Sequence, residues 1–550
     1  MSESNQTLYQ ACTAQFSDDQ DNVAGLLQCI SDGAEAAADA AAGDVASGVD
    51  TFYLIFAGAL VYFMQTGFAM LCAGSIRAKN VKNVILWNLL DSAGGGLAFW
   101  AVGYAFAYGG DDPAKGFTFI GNTDFFVTST SGVALESWFF QFTFACALSS
   151  IVAGTIAERT QMKAYLMYSV FLVGFVYPVA AHAFWSVNGI FSKSATEPLF
   201  GSGAIDLAGS GAVHMTGGVA ALVGAIILGP RMGRFYDEDG IPLEEPAVFT
   251  PHSTALQFLG TFCLWFGWYG FNPGSVLVIA SDQAGGVASL VVVNTTLGAC
   301  AGAISAMFFS SWWDWREHGE VFYDVGATMN GCLTGLVAIT AGCATVETWA
   351  AVIIGIFAGL FYILGSKLLI RLRIDDAVDA IPVHCIGGMW GMISTGLFSA
   401  PDLITAAYSE SPHAGWFYEW GRGSGNFTLI GTQLLAVLFV FGWSFCLMGF
   451  WFGMLNYLGW FRIDPLEERV GMDESRHKGA AYDYTAPEPN DLRGLRDSRH
   501  SKRSQRSLSN DGSSKRGTVN KPVDSPQNEA SNAAAESTSK AEESTKEETA

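Results

Sequence analysis

Between residues 51 and 459 the chain alternates apolar runs with short polar joints. The first run, 51–71, contains no ionised side chain. It has about the 20 residues that a helix needs to cross roughly 30 Å of hydrocarbon. Ten more runs follow, and the pattern predicts helices over 51–74, 84–108, 135–157, 163–186, 206–229, 253–272, 285–310, 325–342, 346–370, 381–399 and 430–459. Charges, or loop residues such as Pro113, Pro230 and Pro401, mark most boundaries. The predicted class is an all-α integral membrane protein with eleven transmembrane helices.

The joints differ in charge, and this sets the expected orientation. One alternate set carries Arg77, Lys79, Lys82, Arg159, Lys163, Arg231, Arg234, Arg316, Lys367, Arg371 and Arg373, whereas the other carries only Lys115, Lys193 and Arg422. The first set is expected in the cytoplasm. With an odd number of spans, the N-terminus then lies outside and the C-terminus inside. The organisation read from this is an extracellular segment 1–50, an eleven-helix domain 51–460, a cytoplasmic regulatory tail 461–485 and a disordered tail 486–550. Asn5 and Asn426 become exposed glycosylation candidates, while Asn294, inside a span, does not.

Composition agrees with a bilayer environment. Hydrophobic residues make up 50% and charged residues 15% of the chain, too little charge to cover a soluble protein of this length. The net charge of -22 gathers in the first fifty residues, the loops and the tail. No basic face is available for phosphates, so nucleic-acid binding is disfavoured. No basic patch followed by an apolar run precedes residue 50, and 51–71 is expected to act as its own insertion signal. Cys72, Cys146, Cys263, Cys300, Cys332, Cys343, Cys385 and Cys446 lie in or beside spans, without zinc spacing, and read as small buried hydrophobes. Cys12 and Cys29 lie in the polar N-terminal segment, where they pair within or between subunits if that segment is extracellular. No cofactor motif is found. Residues 486–550 are rich in Ser, Ala, Glu, Lys and Asn, and cannot bury enough surface to fold.

Ionisable groups at membrane depth are costly, which makes each a functional candidate. His214 falls in the fifth span, within Asp206-Leu-Ala-Gly-Ser-Gly-Ala-Val-His214-Met-Thr-Gly-Gly. His384 falls in the tenth, within Asp379-Ala-Ile-Pro-Val-His384-Cys-Ile-Gly-Gly. Each follows an Asp and precedes a Gly pair, at matching places in two successive five-helix halves. Because five is odd, the halves are expected to be inverted repeats, with a site near the midplane and a final helix beyond them. A lone membrane histidine is readily explained by a hydrogen bond to its neighbour, but two at equivalent positions favour function. Asp206 suits a helix cap. Asp91 reads as hydrogen-bonded structure, and His182 and His252, near span ends, as surface or interface residues. Trp185 and Ser275 stand at outer span ends, where an indole face beside a hydroxyl suits a cation. An interfacial belt tryptophan is the other reading that Trp185 allows.

Five separated blocks, in order, resemble the Amt/Mep/Rh ammonium transporters, and within them the Amt branch that includes plant high-affinity carriers. They are Cys72-Ala-Gly-Ser-Ile-Arg-Ala-Lys-Asn80, Gly154-Thr-Ile-Ala-Glu-Arg159, Asp206 to Gly218, Trp268-Tyr-Gly-Phe-Asn-Pro-Gly-Ser275, and Asp375-Asp-Ala-Val-Asp-Ala-Ile-Pro-Val-His384. The resemblance implies a plasma-membrane, non-enzymatic carrier of ammonium or methylammonium, homotrimeric, with one pore per subunit. It implies an outer recruitment site at Trp185, Phe144 and Ser275, a gate of Phe144 and Phe271, and a pore lined by His214 and His384. Phe140, Trp268 and Asp206 would support these. Rh-type members usually lack the Trp and Ser, so a gas channel of that kind is the weaker alternative, as is an ammonium sensor. Gly471-Met-Asp-Glu-Ser-Arg-His477 resembles a plant tail segment with a regulatory threonine. Ser475 stands at that position, Lys478 replaces a family glycine, and a kinase acting on Ser475 is the implied partner.

Overall fold

The computed structural model describes residues 8–15, 23–130, 132–408 and 412–482. Asn5, Lys502–Ser509 and the rest of the tail 486–550 lie outside the described residues. Helices occupy all eleven predicted places. They are α1 (Val23–Ser75), α2 (Val81–Ala98, continued by Phe99–Gly103 and Tyr104–Tyr108), α3 (Leu135–Thr155), α4 (Met162–Trp185) and α5 (Ser210–Leu228). Then come α6 (Thr254–Gly274), α7 (Asp282–His318), α8 (Val325–Ile339), α9 (Thr348–Arg371), α10 (Ile381–Phe398) and α11 (Thr428–Tyr457). Among the described residues, eight are long and apolar enough to cross a membrane: α1, α3, α4, α5, α7, α9, α10 and α11. α8 is a shorter apolar helix.

Side-chain caps fix several helix starts. Ser253, Ser281 and Asp324 each accept a hydrogen bond from a backbone N–H of the first turn of α6, α7 and α8. Two helices outrun their apolar stretches. α7 continues to His318 and stops at Gly319, whose φ of 76° lies in the left-handed region that glycine enters freely. α1 begins at Val23 rather than near residue 51, so the segment 1–50 is largely helical where it is described. Its alanine-rich stretch 34–42 lacks an apolar face but has the highest intrinsic helix propensity. The short helix Leu8–Gln15 leans on it, and Cys12 and Cys29 are bonded, with Cα atoms 5.9 Å apart. Cys446 is exposed, and Cys263 and Cys300 are half-buried, so these three are not interior residues as expected.

Small residues let the backbones touch. A Cβ on Gly302 of α7 would come within 2.4 Å of the Gly331 carbonyl oxygen of α8. At the centre, a Cβ on Gly218 of α5 would lie 2.2 Å from the Cys385 nitrogen of α10, and one on Gly388 would lie 2.5 Å from the Ser210 oxygen of α5. Each half therefore presents its second glycine to the start of the other's helix. Neither backbone can yield, so Gly218→Ala is expected to lose at least about 1–3 kcal/mol through overpacking. The loss would be read as a lower melting temperature in detergent.

The loops after α1, α3, α5 and α9 and the segment after α11 meet at one end of the bundle, in a buried ion-pair cluster. Glu158 takes Arg77 at 2.5 Å and Arg231 at 2.6 Å, and Arg231 forks onto Asp375 at 2.7 and 2.8 Å. Arg159, wholly buried, donates to the Asp375 carbonyl at 2.7 Å. Burial alone would raise the Asp375 carboxyl. Hydrogen bonds and charge from Arg231, with the charge of Arg159, outweigh it and hold the group well below the usual carboxylate range. The segment after α11 is latched to this end. Met472 N–H donates to Asn80, the Asp473 carboxylate accepts from the N–H groups of Lys82 and Asn83, and Lys79 donates to the carbonyls of Glu468 and Arg469.

Candidate functional site

Both histidines sit where the helix briefly widens. Ser210–Met215 and Ile381–Ile386 are π-helical turns at the starts of α5 and α10, a local form that often marks functional positions. Asp206 caps the first: its carboxylate accepts from the N–H groups of Gly209, Gly211 and Ala212 at 3.1, 3.0 and 2.9 Å. The counterpart in the second is Asp376, which accepts from Ile381 N–H at 2.7 Å. Asp379, paired with Asp206 on sequence grounds, instead accepts from the hydroxyls of Tyr362 and Ser366. Asp206 and Asp376 each stand eight residues before their histidine, a spacing that identifies the true equivalents.

The two rings meet. His214 Nδ1 and His384 Nδ1 are 3.2 Å apart, with ring centroids at 5.2 Å. In a neutral pair one Nδ1 donates and the other accepts. The donor ring then has a bare Nε2 and the acceptor ring a protonated one, so the pair accepts at one end and donates at the other. His214 is wholly buried, and its Nε2 has no hydrogen-bond partner among the described residues. Its ring stacks on Trp268 at 5.2 Å and Phe271 at 5.4 Å. The Trp268 indole is held by a bond to Thr340.

Beyond His214, Phe271 and Phe144 stack with centroids 4.0 Å apart, both buried. Phe140 lies 4.8 Å from Phe144. Trp185 meets Phe144 edge-on at 6.0 Å and donates its indole N–H to the Asp206 carbonyl. Trp185, Phe144, Ser275 and Asp206 line a vestibule of about 160 Å³. Ser275 donates to the Phe271 carbonyl at 2.9 Å. On the other side of the pair, His384 caps a cavity of about 20 Å³ walled by Phe68, Cys72, Ser150 and Asn330. Asn330 also lines a funnel of about 260 Å³ that reaches the ion-pair cluster. Burial, with Asp376 beside it, pushes Asp379 in this funnel up to about 6.

Trp185, Phe140, Phe144, Phe271, Trp268, His214 and His384 thus form one column, with Asp206 behind it. Lys193 was missed. It lines the vestibule and donates to the Ser202 carbonyl, and burial pushes its amine down to about 8. The inner-wall residues Phe68, Ser150 and Asn330 were also missed, and no local motif marks them. His182 corrects an expectation: it is 1% exposed, between the carbonyls of Ala107 and Thr118, because the loop after α2 folds over it. His252 is half-buried against Tyr482.

Residues 51–482 match the profile of the Ammonium Transporter Family. Ammonium transporter 1 member 3 of Solanum lycopersicum is 40% identical over 460 residues, 81% of this chain and 95% of its own. Ammonium transporter Amt2 of Archaeoglobus fulgidus is 40% identical over 437 residues, 79% and 88% of the two chains. Among solved structures, a Sensor Amt Protein superposes with a TM-score of 0.66 at 30% identity, covering 79% of this chain and 99% of its own. Candida albicans Mep2 gives 0.64 at 26% identity, covering 76% and 87%. The chain belongs to the Ammonium Transporter Family, whose members are membrane transporters rather than enzymes.

Proposed function

We propose that this chain carries ammonium across the plasma membrane through a pore in each subunit of a homotrimer. Ammonium is drawn into the vestibule by the faces of Trp185 and Phe144 and the Ser275 hydroxyl. It gives up a proton at the Phe144–Phe271 gate and crosses as ammonia past His214 and His384. The released proton follows along the imidazoles. The observation that carries this reading is the stacked phenyl pair leading directly to two hydrogen-bonded imidazoles in a buried column. Carrying charge through such a column is expensive. Potassium matches ammonium in charge but has no proton to shed, which gives the column its selectivity. Asp206 acts through the backbone of the vestibule, and Trp268 and Phe140 hold the rings.

The eleven helices are taken as eleven spans, two inverted five-helix repeats and a final helix, with the ion-pair cluster in the cytoplasm. Cys12, Cys29 and Asn426 are then extracellular. Growth rescue of a yeast strain lacking its own ammonium carriers tests transport, and a sensor would leave that strain unable to grow on low ammonium. Methylammonium uptake and current in proteoliposomes test the coupled proton; uptake without current would refute coupling. Ser475 is exposed on the latched segment, two residues from Asp473. A phosphate there adds about two negative charges beside Asp473 and Glu474. Ser475→Asp is expected to loosen the latch and slow transport severalfold, and wild-type uptake by that variant would remove the switch.

A further inference from the structure

Ser150 on the inner cavity wall is the near end of a polar cluster that the pore column does not use. Its Oγ lies 2.8 Å from Gln65 Oε1 and 3.2 Å from Asp91 Oδ2. Ser169 donates to Asp91 Oδ1 at 2.9 Å, and the Tyr165 hydroxyl donates to Oδ2. Asp91, Ser150, Tyr165 and Ser169, from α2, α3 and α4, are at most 1% exposed. The other titratable groups facing Asp91 are Tyr168, Cys146 and Cys72. A carboxyl at this depth is costly, and here one of its three hydroxyl partners opens onto the permeation path.

Hydrogen counting shows that the cluster accommodates either charge state. With Asp91 protonated, the carboxyl donates to Ser150 and Ser150 donates to Gln65. With Asp91 ionised, Ser150 turns its proton onto the carboxylate, and the Gln65 amide turns so that its NH₂ donates to the serine oxygen. The Gln65 nitrogen has no other partner among the described residues, which leaves the amide free to do so.

We propose that Asp91 is a proton-holding station for the pore, loaded and emptied through Ser150. This rests on the reading that the proton crosses with ammonia. When ammonia enters the inner cavity, the Asp91 O–H bond breaks and its proton passes to Ser150 Oγ. Ser150 gives its own proton to the ammonia lone pair, the new N–H bond completes ammonium, and the cation leaves through the funnel. The carboxylate left behind keeps the Ser169 and Tyr165 hydrogen bonds. It is reloaded by the proton shed at the gate, arriving over His214 and His384 and returning through Ser150. One ammonium has entered and one has left.

A cluster that only ties four helices together would affect folding but not the charge carried per molecule. The test is current and methylammonium uptake on the same proteoliposomes, for the full-length wild type, Asp91→Asn and Ser150→Ala. The wild type is expected to move one charge per molecule taken up. Both variants are expected to lower the charge-to-uptake ratio about fivefold or more and to flatten its dependence on internal pH. If Asp91→Asn fails to assemble, Ser150→Ala decides, because it leaves two hydroxyls on the carboxyl. A wild-type ratio in the assembled variants overturns the station alone. Wild-type uptake without current overturns coupled transfer and the station with it.

Discussion

Replacing His214 by alanine is expected to lower methylammonium uptake on the order of a hundredfold. The side chain joins the aromatic part of the column to His384. It stacks on Trp268 and Phe271, approaches His384 at 3.2 Å, and keeps an Nε2 with no hydrogen-bond partner among the described residues. An alanine leaves an apolar gap between the gate and His384, with no group to accept a proton from one side or donate it to the other. Packing alone would also suffer, so the variant must be shown to elute as the wild type does on size exclusion. If it does, and uptake stays within twofold, the imidazole is a filler and the mechanism has to be rebuilt around the aromatics.

The second large effect concerns stability. Asp375→Ala would leave buried Arg231 with Glu158 alone and take the nearby carboxylate from Arg159, and breaking a buried pair from one side costs about 3–5 kcal/mol. Glu238→Ala is the contrasting control. Glu238 meets Arg469 at 3.4 Å, but its side chain is 84% exposed, and such pairs contribute roughly 0–1 kcal/mol. Thermal unfolding in detergent should separate the two clearly, and equal melting points would mean that water reaches the cluster. The pH dependence has a definite sign. A carboxyl held below its usual range stabilises fully above the unfolded value of about 3.9. That contribution is lost only as pH falls below it, through the still lower folded value, so Asp375 stays charged around neutral pH.

The sequence shows the apolar helices plainly, because most of the apolar runs end in charges or loop residues. The aromatic and histidine column was legible through ordered motifs rather than periodicity. The remainder left weaker traces. The stretch 34–42 of α1 is built on alanine propensity and has no apolar face, so the apolar pattern does not mark it. The π-turns that hold His214 and His384 shift backbone hydrogen bonds by one residue and leave no mark on composition. Pairing Asp206 with Asp379 rather than Asp376 followed the nearest acid instead of the common eight-residue offset. Asp91, Ser150 and Gln65 are scattered over three helices, and only the fold brings them together.

The glycine contacts at Gly218 and Gly388 bear on how this machine moves. Main chain rests on main chain at both crossings, so these crossings offer no slip plane along which one half could rock against the other. A carrier that works by exposing its cargo first to one side and then to the other needs such a plane. On the transport reading proposed above, discrimination then falls to a stationary scaffold, through bonds made and broken on the solute itself.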